Sequence, residues 1–136
     1  MIEDDAGLRR LLQDTRTIAV VGMSANPERA SNEVAQYLRR AGYTIIPVNP
    51  ACAEILGEKC YPSLREVPVP IDLVDVFRKS EDVMPVVEDA IAVGAKVVWL
   101  QLGVTATEAA TRAETAGLAV VMDHCTKIEH RRLLLG

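Results

Sequence analysis

At 136 residues the chain is long enough for a single domain, taken here as 1–136, with a core that needs no disulfide or metal. Hydrophobic residues at 49% and charged residues at 25% exclude a disordered chain, and aromatics at only 4% leave Val, Leu, Ile and Ala to fill the interior. A net charge of −4 argues against a nucleic-acid binder, whose affinity depends on a basic face.

In chain order, Leu8, Leu11 and Leu12 form the apolar stripe of a first helix, and Thr17–Val21 is a β-branched run of strand length. After the polar stretch from Gly22 to Ser31, Val34, Leu38 and Ala41 repeat at helical spacing up to Gly42. A second strand follows in Tyr43–Val48. Ser63-Leu64-Arg65-Glu66 has the capping-box form that opens a short helix, and Asp72–Val76 is a third strand. Val83, Val86, Val87 and Ile91 mark the next helix, whose start Pro85 leaves ambiguous because proline suits only a first turn. Lys96–Leu100 is the fourth strand, Thr105-Ala106-Thr107-Glu108 a second capping box, and Leu118–Met122 the fifth strand. Gly42, Gly94 and Gly117 each stand between a helix and a strand, where positive φ ends a helix.

Strands alternating with helices imply βαβ units. The expected architecture is a three-layer α/β fold: a five-stranded parallel sheet in the order 3-2-1-4-5, with helices on both faces. A ligand then belongs beyond the carboxyl ends of the strands, where the order reverses, between the first and fourth strands. Asp75 is unusual within an apolar strand: an edge position for the third strand could leave it exposed, but a structural role is favoured.

The residues at those ends favour a nucleotide-like pocket. The first strand runs into Gly22, whose backbone could approach a phosphate closely, with Ser24, Asn26 and Ser31 as side-chain donors and Arg29 as a full charge. Ser31 could equally be a plain helix N-cap. Only one glycine is present, so G-x-G-x-x-G is unmatched, and G-x-x-x-x-G-K-[ST] is absent. The second strand ends at Val48-Asn49-Pro50, without the acid that an NAD site uses for the ribose diol. The third supplies Phe77 and Arg78, a flat ring and a guanidinium that could flank an adenine and neutralise a phosphate. The fourth ends at Gln101-Leu102-Gly103 and the fifth at Asp123-His124-Cys125.

Taken in order, Ile18–Ser24, Gly42–Pro50, Asp72–Arg78, Gly94–Gly103 and Met122–Arg132 resemble the small stand-alone CoA-binding proteins. Those are related in fold to the nucleotide-binding domain of the succinyl-CoA synthetase α subunit. The resemblance implies a Rossmann-like fold that binds coenzyme A or an acyl-CoA. It places pyrophosphate and pantetheine along Gly22, Ser24, Asn26 and Ser31, and adenosine near Val48, Asn49, Phe77 and Arg78. Gln101 and Gly103 would line the pantetheine side. The synthetase's active-site histidine is carried on another domain, which this chain does not contain.

A catalytic reading of Asp123, His124 and Cys125 is disfavoured, because adjacent side chains point in different directions and no second ligand pair has metal spacing. A non-catalytic CoA-binding protein is therefore expected. The alternatives are an NAD(P)-binding oxidoreductase-like protein and a regulatory partner-binding domain with a vestigial pocket. Leu133-Leu134-Leu135 would dock on the domain or form a contact in a homo-oligomer or with a protein partner. Three cysteines (Cys52, Cys60, Cys125) without C-x-x-C spacing argue against a disulfide framework or zinc ribbon. The start Met1-Ile2-Glu3-Asp4-Asp5 is acidic where a signal peptide is basic, and no apolar run reaches the ~20 residues of a membrane span. The expected location is cytoplasmic.

Overall fold

The computed structural model describes residues 1–135. Its elements run α1 (Asp5–Asp14), β1 (Thr17–Val21), α2 (Ala30–Arg40), β2 (Thr44–Val48), β3 (Glu54–Ile55), β4 (Glu58–Lys59) and β5 (Leu73–Val76). They continue with α3 (Val83–Ala92), β6 (Val97–Leu100), α4 (Thr107–Thr115), β7 (Ala119–Val121) and α5 (Thr126–His130). A π-helical turn follows over Arg131–Leu135.

The five β-branched runs make one parallel sheet, in the lateral order β2-β1-β5-β6-β7. Among those five strands the order is thus 2-1-3-4-5, and the expected 3-2-1-4-5 is corrected. Pro47 gives the physical reason. Proline has no N–H to give to a ladder and is confined to sheet edges. In the expected order β2 would have been paired on both sides; here it pairs only with β1, Val20 opposite Pro47. Pro47 turns its N-side outward, where its carbonyl accepts from Tyr61 N–H at 3.0 Å. The reversal of strand order consequently falls between β1 and β5.

The pleat sorts side chains into two cores. Ile18, Val20, Leu73 and Trp99 pack with Leu8 and Leu12 of α1, Val34 and Leu38 of α2, and Leu133. Ala19, Val21, Val74, Val76, Val98 and Leu100 pack with Val83 and Val87 of α3 and with Ala109, Ala110 and Ala113 of α4. These are the three expected layers. Leu133 docks on the α1 side, its carbonyl accepting from Arg9 Nε at 3.2 Å, while Leu135 stays exposed.

Helix starts differ in detail from the sequence reading. α4 begins at Thr107 with Ala106 as its N-cap, and Thr105 gives its N–H to the Ser80 hydroxyl at 3.0 Å, so the expected capping box is not made. The box at Ser63 opens only a 3-10 turn, Leu64–Glu66, without a side-chain cap. Pro85 is the third residue of α3, inside the first turn, where its missing N–H has no partner to lose.

Candidate functional site

At the reversal, β1 and β5 approach so closely that only glycine fits after β1. Gly22 has φ +84°, and a Cβ there would lie 2.2 Å from the Phe77 carbonyl oxygen. Gly22 N–H donates to Val48 O at 2.9 Å and Phe77 N–H to Val21 O at 2.9 Å, so three strand ends are tied together. Met23 follows, fully buried, and turns the chain outward into the loop before α2.

That loop is held by its own polar groups. Ser31 is not an N-cap: it is the second residue of α2, and its hydroxyl accepts from Ser24 N–H at 2.9 Å. The Ser24 hydroxyl accepts from Asn26 N–H, and Asn26 Oδ1 from Glu28 N–H, both at 3.0 Å. Asn32, almost wholly buried, donates from Nδ2 to Ser24 O at 2.8 Å. Arg29 occupies the N-cap position without a capping side chain, and the N–H groups of Ala30 and Ser31 have no acceptor among the described residues. Unpaired donors at the start of an 11-residue helix favour an anion.

Three adjoining hollows run along this edge of the sheet. One of about 340 Å³ is lined by Gly22, Ser24, Arg29, Ala30, Ser31 and Phe77. A second, of about 510 Å³, shares Ala30 and Phe77 with it and reaches Arg78, Gln101, Val104, Cys125 and Ile128. A third, of about 160 Å³, shares Arg78 and lies between Val48, Leu64 and Val86. Arg29, Arg78 and Lys79 at the rim make no ion pair among the described residues.

Of the residues singled out in the sequence, Gly22, Ser24, Arg29, Ser31, Phe77, Arg78, Val48 and Gln101 line these hollows. Three others are spent elsewhere. Asn49 donates from Nδ2 to Met23 O at 2.9 Å and accepts at Oδ1 from Ala51 N–H at 2.9 Å, so it braces two loops. Asn26 is an exposed loop brace, and Gly103 N–H goes to Asp123 Oδ1 at 2.6 Å. Asp123, His124 and Cys125 diverge: His124 Nδ1 stands 3.3 Å from Glu129 Oε1, while Cys125 faces the largest of the three hollows.

Sequence reasoning missed Asn32, Val34, Val104 and Ile128, whose participation depends on how α2 and α5 sit over the sheet. The edge position expected for the strand that carries Asp75 is corrected as well. On the central strand β5 this side chain is fully buried, with its carboxylate between Gln101 Nε2 and the Thr126 hydroxyl. Burial pushes its pKa up to about 7, against the opposing pull of those two hydrogen bonds. The edge position that would have exposed it is the same error as the strand order.

A parallel sheet with phosphate-type donors at its reversal point defines a Rossmann-like α/β domain. The chain belongs to the CoA binding domain family, whose model matches residues 16–131. It is 43% identical to the uncharacterized protein YneT of Bacillus subtilis over 92% of this chain and 93% of that one. A solved structure of a hypothetical protein from Pyrococcus horikoshii superposes with a TM-score of 0.95 at 46% identity, covering 98% of this chain and 94% of the other. Acetate–CoA ligase (ADP-forming) I of Archaeoglobus fulgidus is 34% identical over 54% of this chain, a match that spans only 11% of the ligase.

Proposed function

We propose that this chain binds coenzyme A, free or acylated, along the carboxyl edge of its sheet and without catalysing a reaction on it. The observation that carries the reading is the bare Gly22 backbone beside the unpaired N–H groups of Ala30 and Ser31, with Arg29 at the rim. That combination offers a pyrophosphate close backbone approach, oriented donors and one full charge. The hollow by Val48 and Arg78 suits the adenosine 3′-phosphate end, and the larger hollow lined by Phe77, Gln101 and Ile128 suits the pantetheine arm. Membership of the CoA binding domain family supports the same ligand. Against NAD stands Asn49, an amide already committed on both sides where a ribose would want a free carboxylate. Three unpaired cysteines fit a reducing, cytoplasmic setting.

Thermal-shift measurements with CoA, acetyl-CoA, NAD, NADP and FMN test this. A ligand at ~100 times its Kd adds ~2.7 kcal/mol, which raises the melting midpoint by roughly 10 °C for a chain of this size. CoA is expected to give that rise and NAD none. A rise with NAD alone would overturn the reading, and silence from every nucleotide would favour a partner-binding domain with a vestigial pocket.

Arg78 carries a separate expectation. If its guanidinium meets the 3′-phosphate, Arg78→Ala weakens CoA roughly tenfold while dephospho-CoA, which lacks that group, is little affected. Equal losses for the two ligands in a titration would remove Arg78 from that role.

A further inference from the structure

The hollow between Phe77 and Ile128 is lined by apolar groups, Ala30, Val34, Val104 and Ile128 among them, by the cations Arg78 and Lys79, and by one buried polar side chain, Gln101, only 4% exposed. The Gln101 amide is held from behind. Its Nε2 donates to Asp75 Oδ1 and, at 2.9 Å, to the Thr126 hydroxyl, which itself donates to Asp75 Oδ2 at 2.9 Å. Both N–H groups are thereby used. The Oε1 atom accepts no hydrogen bond among the described residues, yet no described side-chain N or O is sealed from solvent without a partner. Oε1 therefore opens into the hollow that Gln101 lines.

An unrestrained glutamine amide can turn over and present either N–H or C=O. Once ionised, above about pH 7, the Asp75 carboxylate behind it accepts hydrogen bonds and gives none, so it then admits only the arrangement with Nε2 inward. We propose that Asp75 is a positioning residue that fixes the Gln101 amide with its oxygen outward, giving the apolar hollow one acceptor that selects an amide N–H of the pantetheine arm. The proposal rests on the reading that this edge holds CoA. An acceptor in an apolar channel repels phosphate and carbonyl oxygens and rewards an N–H, because an unmatched polar group pays its desolvation without return. Beside Gln101 the hollow thus takes the arm, while the phosphates stay with the unpaired N–H groups of Ala30 and Ser31 and with the cations Arg29, Arg78 and Lys79.

The test uses the full chain and two ligands, CoA and adenosine 3′,5′-bisphosphate, which lacks the arm. Asp75→Asn removes the constraint, since an asparagine amide can donate to Oε1 and let the Gln101 amide turn over. Titration calorimetry above about pH 7, where Asp75 is ionised, is expected to show CoA affinity falling about tenfold in this variant, with the bisphosphate unchanged, the scale of one lost or mismatched hydrogen bond. Gln101→Leu should show the same arm-dependent loss without touching Asp75, and it serves alone if Asp75→Asn does not fold. Because Asp75 acts through Gln101, the double variant should lose no more than Gln101→Leu does. Equal losses for the two ligands, no loss in either variant, or additive losses in the double variant would each overturn the proposal while leaving CoA binding intact. Failure of the parent chain to bind CoA would instead remove the reading on which it stands.

Discussion

Gly22→Ala is expected to lower the melting temperature by roughly 10 °C and to abolish any rise on adding CoA. At φ +84° an alanine is strained by ~1–2 kcal/mol, and its Cβ would meet the Phe77 carbonyl oxygen at 2.2 Å. The obstacle is backbone, and it cannot step aside cheaply. Phe77 N–H is bonded to Val21 O and Gly22 N–H to Val48 O, so separating β1 from β5 breaks the ladder at the centre of the sheet. Steric overpacking of this kind adds ~1–3 kcal/mol, for a total of about 3 kcal/mol. With roughly 3–5 °C per kcal/mol at this length, the shift follows. Gly42→Ala is the control: φ is +110°, but nothing lies within 4 Å of its added Cβ. It should lose the strain alone. Equal melting temperatures for the two variants would show that the close approach of β1 and β5 is not as described.

Folding stability should also fall as pH rises from about 4 to about 7, by about 4 kcal/mol attributable to Asp75. The sign follows from its raised folded pKa. Below the ordinary carboxylate value near ~3.9, Asp75 is protonated both folded and unfolded, and its contribution is fully present. Between that value and about 7 the unfolded chain ionises freely while burial keeps the folded carboxyl neutral, so stability declines; above about 7 the loss is complete. Asp5 and Asp72 act in the opposite sense. A hydrogen bond from Arg132 holds Asp5 below the ordinary range. Burial raises Asp72, but N–H groups of Thr17 and Arg16, with Lys96 nearby, lower it further than burial raises it. The measurement is therefore a difference: urea unfolding of the parent chain and of Asp75→Asn at several pH values. The variant should gain on the parent with rising pH, and a constant gap would refute the burial of an ionisable group at this position.

The strands and most helices were legible because β-branched runs and helical spacing report burial directly. Gly42, Gly94 and Gly117 all adopt the positive φ expected of them. Lateral order was not legible from periodicity, which says nothing about neighbours, although Pro47 in β2 already pointed to an edge. The exposure that an edge strand could have given Asp75 fell with that order. The β3–β4 hairpin escaped notice because its two-residue turn puts Leu56 at φ 55° and Gly57 at 75°, and a leucine gives no signal for a conformation usually supplied by Asn or Gly. Within the candidate site, the residues at strand ends were found from topology. Asn49 and Gly103 stand at the right ends but give their hydrogen bonds to Met23, Ala51 and Asp123, and only three-dimensional pairing reveals that.

Both rims of the sheet are already taken. Along β2, Pro47 presents no N–H, and the chain around Tyr61 bridges to Val48. Along the other margin, Ile2 N–H occupies the outward carbonyl of Val120 at 2.8 Å, on a strand of only three residues. Neither border offers the open row of donors and acceptors onto which a second chain could add a strand. Edge-to-edge addition of a strand is thus disfavoured at both borders of the five-stranded sheet.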